Sequence, residues 1–232
     1  AGVLMEQPID KILTMILFGT VKKNAATVIT KDPLKLQVVD SLPESLNAYE
    51  KEFLLAFQED KLPERRRLMQ TMMINLVKSI TEKIKGFSRK ETIAYYESIM
   101  KQAWLQVETA ATPEVKMQAF GVNLDWTQTD RRYNERTRDV FHSGPVFVPV
   151  WWNRYDPTFS PSSGSPSLGG GGQPISVSRP NVPGSDFAAS MVNSIQGVAA
   201  GAGGNLTSFT GGITDKPKPI RITTYSPSGK SG

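Results

Sequence analysis

Apolar positions recur with a helical period at the start of the chain. Ile9, Ile12, Leu13, Ile16 and Leu17 stand three and four residues apart, which predicts a helix over 8–22. Pro8 suits its first turn, where a missing N–H is no loss. The polar stripe is narrow (Asp10, Lys11, Thr14 and Lys22), so the helix is expected to be mostly buried. Asn24 is the expected stop. The period then changes. Ala26–Thr30 and Leu34–Val39 are β-rich runs on either side of Lys31-Asp32-Pro33, which predicts a hairpin. A buried helix followed by a two-stranded hairpin is the second half of a winged-helix module. Its first helix would end near Val3–Glu6.

Helical spacing returns at Leu46–Gln58, with Leu46, Tyr49, Phe53, Leu54 and Phe57 on one face and Asn47 or Ser45 as cap. Pro63 opens a long helix to about Lys85. Its stripe is Leu68, Met72, Leu76, Ile80 and Ile84, flanked by Met69, Met73 and Val77, and Gly86 closes it. Ser88-Arg89-Lys90-Glu91 matches a capping box. The next helix carries Ile93, Tyr96, Met100, Ala103, Val107 and Ala110 in a seam that asks for an antiparallel partner. The short turn Gly86–Ser88 makes the preceding helix the expected partner, with Leu76 and Ile80 facing Met100 and Ala103. Thr112-Pro113-Glu114 caps a shorter helix ending at Gly121, and Asp130–Phe141 is a polar final helix.

From Ser143 the period is lost. Prolines 145 and 149 deny a helix, so Pro145–Trp152 is expected to be extended. Beyond Pro157 the chain is rich in Ser, Gly and Pro. One island, Asp186–Ile195, has apolar residues at 187, 191, 192 and 195, a short amphipathic helix near 186–197. The expected fold class is α+β and mainly helical. A winged-helix-like module at 1–60 is followed by an antiparallel helical hairpin and short helices at 61–142. A long extended Pro/Gly/Ser-rich arm occupies 143–232.

Composition sharpens the boundary. Of 19 glycines in the 232 residues, 14 lie in 161–232, which hold only 7 of the 49 charged residues. Ordering such a segment costs about 1–2 kcal/mol per residue for the backbone alone. Its few large apolar groups cannot offset that among themselves. Phe187, Met191, Ile195 and Phe209 are therefore expected to insert into neighbouring copies, making the chain a homo-oligomer. Trp151, Trp152 and Tyr155, with Phe159, are the one aromatic cluster. They are expected to anchor the arm at its root, on the helices or on a neighbour.

Charge and chemistry narrow the function. The absence of cysteine excludes disulfides, thiolate metal sites and cysteine nucleophiles from this chain. A single histidine, His142, excludes a multi-histidine centre, and its place at a helix end suits a structural cation. No motif makes a triad of it with Ser143 or Asp139. Glu50 with Glu52, and Asp125 with Asp130, are carboxylate pairs without a pocket to give them meaning. Gly169–Gly172 lacks the lysine and the strand–helix context of a phosphate loop. No catalytic residue, cofactor or metal is expected, and the chain is read as a non-enzyme. A net charge of +5 is no strong polyanion signature. Helix 8–22 lacks the outward Arg, Asn or Gln that reach base edges. A winged-helix nucleic-acid-binding regulator is the alternative, with nucleic acid not the expected partner. Arg65-Arg66-Arg67 is the densest basic run, a contact for acidic partners or lipid headgroups, or a solvated helix face. Asn205-Leu206-Thr207 fits a glycosylation sequon.

Ala1-Gly2-Val3-Leu4 has neither an initiator Met nor a signal pattern, so the ends read as the boundaries of a fragment. The longest apolar run, Ile12–Phe18, is far below the roughly 20 residues of a membrane span. No transmembrane helix is expected in this segment.

The order of features carries a resemblance. Asp32-Pro33-Leu34, Tyr49-Glu50, Leu62-Pro63-Glu64-Arg65-Arg66 and Gly86-Phe87-Ser88-Arg89-Lys90-Glu91-Thr92 form one set. Tyr95-Tyr96, Ala103-Trp104, Trp151-Trp152 and Pro183-Gly184-Ser185-Asp186-Phe187-Ala188 complete it. Together they resemble an uncharacterised family of large predicted membrane proteins in Chloroflexota-type bacteria, with a winged-helix-like soluble module and a Gly/Ser-rich tail. The resemblance implies a membrane-linked parent, a place on a soluble face of the membrane, and other subunits as possible partners. It implies no activity. The expected function is a structural or assembly module that self-associates through its arm.

Overall fold

A computed structural model describes residues 1–31, 34–141, 146–156 and 172–175. Within them the protein is mainly helical, with a small antiparallel hairpin. The chain begins with a turn over residues 2–6. Gln7 N–H donates to Gly2 C=O and Glu6 N–H to Val3 C=O, with Glu6 left-handed at φ 54°. This pair of bonds is the Schellman arrangement. Helix α1 (Ile9–Lys22) closes in the same way: Ala25 N–H reaches Thr20 C=O, Asn24 N–H reaches Val21 C=O, and Asn24 takes φ 61°. Asparagine tolerates that region better than most residues, which is why it could be read as the stop.

Strands β1 (Ala26–Lys31) and β2 (Leu34–Val38) pair antiparallel, and the register shifts between Val28 and Thr30. The turn residues Asp32 and Pro33 lie outside the described residues. Helix α2 (Ala48–Gln58) starts two residues later than the apolar spacing suggests. Asn47 takes extended backbone and its N–H donates to the Glu50 carboxylate at 2.7 Å, so Leu46 is buried just ahead of the helix.

Helix α3 (Leu62–Lys83) and helix α4 (Arg89–Glu108) are where expectation and structure part. They do not form a packed pair: α3 packs along α2, and α4 packs along helix α5 (Pro113–Thr127). The α2–α3 pair is fixed by Asn75 donating to Glu52 at 3.0 Å and by Arg65 over the Phe57 ring at 5.4 Å. The α4–α5 pair is fixed by Asn123 donating to Gln106 at 2.9 Å and by the Tyr96–Trp126 contact at 5.7 Å. Larger apolar surfaces decide the pairing. Met69, Met72 and Met73 join Phe53, Leu54 and Phe57 in the core, and Trp104 and Val107 join Met117, Phe120 and Leu124. Leu76, expected in a buried α3–α4 seam, is only half-buried.

In the turn between α3 and α4, Gly86 is left-handed at φ 87° as expected, and one half of the expected capping box is present, the Ser88 hydroxyl accepting from Glu91 N–H. Thr112 caps α5 as expected. That helix runs through Gly121 to Thr127, because Leu124 and Thr127 continue the buried spacing of Met117 and Phe120 past it. The burial outweighs the cost of about 1 kcal/mol for a helical glycine. Helix α6 (Tyr133–Val140) places Tyr133 and then Phe141 against Phe120.

The arm begins as strand β3 (Val146–Pro149), which runs beside α5 and pairs antiparallel with strand β4 (Gly172–Ile175). Extended backbone was expected through Trp152. Instead, Val150–Arg154 winds into a single 3₁₀ turn directly after Pro149, with Tyr155 and Asp156 N–H both returning to Trp152 C=O at 2.8 Å.

Candidate functional site

That 3₁₀ turn is the best-built feature outside the helical core. It lies against α1 and β1 and delivers three aromatic side chains to Phe18 of α1. The Phe18 ring meets Trp151 edge-on at 5.7 Å, stacks on Trp152 at 6.2 Å and 22°, and meets Tyr155 at 5.5 Å. Trp152 and Tyr155 touch each other at 4.4 Å. Both are buried, at 7% and 1% exposure, while Trp151 is half-buried. Edge-on and offset contacts at these separations add to the area that three large rings remove from water. Polar groups close the edges. Lys31 of β1 pairs with Asp156 and lies 5.4 Å from the Tyr155 ring centre, and Arg154 Nε donates to Val21 C=O at 3.3 Å.

Trp151, Trp152 and Tyr155 are therefore brought together, on their own chain. They root the arm on the helix that the sequence marks as most buried. Their expected partners for self-association, Phe187, Met191, Ile195 and Phe209, lie outside the described residues, as does the helix expected near 186–197. His142, Ser143, Phe159 and Asn205 lie outside them too.

The basic run does not act as one patch. Arg65 donates twice to Glu59 C=O, at 2.9 and 2.7 Å, while it covers Phe57. Arg67 is paired with Glu64 one turn back, where both groups are exposed, so the pair is worth little. Arg66 is exposed.

Several polar features were not legible beforehand. Glu50 is buried, accepts from Asn47 and pairs with Lys23 at 2.7 Å. It sits over Gly19, where an added Cβ would stand 2.8 Å from Glu50 Oε1. The lone glycine inside α1 is the available signal for that close approach. Lys11 reaches Asp130 C=O, and Gln7 Nε2 donates to Thr129 C=O at 2.8 Å, which ties α1 to the end of α5. Burial holds the Lys11 ammonium down at about 8 and pushes the buried Tyr133 hydroxyl upward. Arg136 lies over the Trp104 ring at 4.9 Å and pairs with Glu108 and Asp130 at 2.7 and 3.3 Å. Of the carboxylates noted in the sequence, Asp125 meets Lys22 at 3.5 Å and Glu52 accepts from Asn75 at 3.0 Å. Among the described residues no cluster of three or more Asp, Glu or His could hold a metal ion, and no helix is long and apolar enough to cross a membrane.

No protein-family model, curated protein or solved structure matches the chain.

Proposed function

We propose that the chain is a non-enzymatic assembly module of a membrane-linked protein, with a helical body on a soluble face and an arm that joins copies. The observation that carries this reading is the Phe18–Trp152–Tyr155 anchor. It fixes the start of the arm to the body, so whatever the rest of the arm grips is tethered to the core. Strand β4 is used on β3 of the same chain. The segment beyond Ile175, which holds Phe187, Met191, Ile195 and Phe209, is the part assigned to neighbouring copies.

The Schellman-type turn at 2–6, then α1, then the β1–β2 hairpin support a winged-helix-like module used for packing. In a nucleic-acid-binding wing, the helix before the hairpin would face a groove. Here α1 buries nine of its fourteen residues. Both of its cations, Lys11 and Lys22, are engaged by α5 and the turn after it. That arrangement favours assembly over the nucleic-acid reading.

The mass of the particle in solution tests the proposal. Light scattering should give a multiple of the 25.5 kDa chain mass. A monomer across the concentration range would contradict it.

A further inference from the structure

The α3–α4 turn stands clear of the core. From Lys78 to Gln102 no residue is buried, although Val77 and Ala103 on either side are. At its apex Phe87 is 73% exposed, the most exposed large apolar side chain among the described residues. Around it the charge is one-sided. Residues 78–91 hold five cations (Lys78, Lys83, Lys85, Arg89 and Lys90) and two carboxylates. Four of those cations lie within four residues of Phe87. Only Arg89 is partly covered, by an ion pair to Glu6 at 2.7 Å, and Lys85 meets Glu82 at 3.6 Å with both groups exposed.

We infer that this turn is a docking point for an anionic lipid surface, with Phe87 entering the headgroup layer and Lys83, Lys85 and Lys90 lying on the lipid phosphates. A second copy does not fit, because it would set like charges against each other. A nucleic-acid duplex would match the charge, but its phosphate backbone offers no apolar layer for the ring. A bilayer supplies both. Aromatic side chains favour the water–lipid boundary, and lysine stems reach along it while their ammonium groups stay wet. Each cation held near an anionic leaflet strengthens binding about fivefold, an effect confined to a Debye length. The inference deepens the membrane-linked part of the proposed function and does not depend on assembly through the arm.

The test is co-sedimentation of the full chain with vesicles of phosphatidylcholine alone, and of phosphatidylcholine with about a quarter phosphatidylserine, at about 0.1 M salt. Binding is expected to the mixed vesicles and not to the neutral ones. Phe87→Ser should weaken it roughly tenfold. Lys83→Gln with Lys85→Gln should weaken it about 25-fold. These side chains are exposed, so both variants should keep the wild-type melting temperature and particle mass. A melting curve and light scattering on the same samples separate this test from the assembly test. Three results would overturn the inference: equal binding to both vesicle types, full retention by the Phe87→Ser variant, or retention by duplex DNA with none by vesicles.

Discussion

The ring of Phe18 lies parallel to that of Trp152 within 22°, with centres 6.2 Å apart, although the two residues belong to the first helix and the start of the arm. This contact, with Tyr155 behind it, makes the root of the arm part of the core. Trp152→Ala should therefore cost about 3–5 kcal/mol in urea unfolding, as a buried aromatic truncation does. Trp151→Ala, at a half-buried site, should cost clearly less. Equal losses would show that the two tryptophans are not distinguished by burial.

Gly19 and Glu50 give a second test. Gly19→Ala gains about 1 kcal/mol of helix propensity but sets a methyl against a buried carboxylate, where overpacking costs about 1–3 kcal/mol. A net loss is expected. In a Glu50→Ala background the obstruction is gone, and Gly19→Ala should become stabilising. If its sign is the same in both backgrounds, the close approach is not what holds glycine there.

The helix pairing predicts a contrast on α3. Met72 is buried against α2, and Met72→Ala should cost about 2–5 kcal/mol. Leu76 is half-buried, and Leu76→Ala should fall below that. The reverse order would restore the α3–α4 seam.

Lys11 gives a pH dependence. Its pKa is lowered by burial from 10.5 to about 8, against the opposing pull of Asp130 and Asp10 and with a smaller push from Arg131. Between those two values the unfolded chain holds the extra proton, so this group makes stability rise with pH. Tyr133, whose pKa is raised above its usual 10.0, works the other way above that value. The useful window is therefore about 8 to 10. Wild type should gain on Lys11→Met as pH rises across it in urea titrations. A gap that stays constant would mean Lys11 is not desolvated.

Much of the body was legible because its signals are local. The Asn24 stop, the Gly86 turn and the Ser88 and Thr112 caps each act within one turn of backbone, and each is found where the residue types place it, whereas Pro8 stands at the N-cap, one residue ahead of the first turn expected for it. Helix partners were not legible. The spacing of Met100, Ala103 and Val107 shows that α4 has a seam, but Phe120 and Leu124 compete for it with Leu76 and Ile80, and only packed volume decides. The anchor was half legible. Trp151, Trp152 and Tyr155 stand out in sequence, whereas Phe18 is one apolar residue in a run of them. The polar ties of Glu50 and Lys11 join residues far apart in the chain, so no local pattern marks them.

The central claim is that the arm is rooted on its own body and joins copies by its remainder. Its most direct test is the sedimentation-equilibrium mass of the full chain beside that of a chain lacking 161–232. The deletion keeps α1, the 3₁₀ turn and the Phe18–Trp152 contact, and removes only β4 from the described fold. The prediction is a full chain at a multiple of 25.5 kDa and a deleted chain that is folded, helical and monomeric. A deleted chain that still forms the full particle, or a full chain that is itself monomeric, would contradict the account.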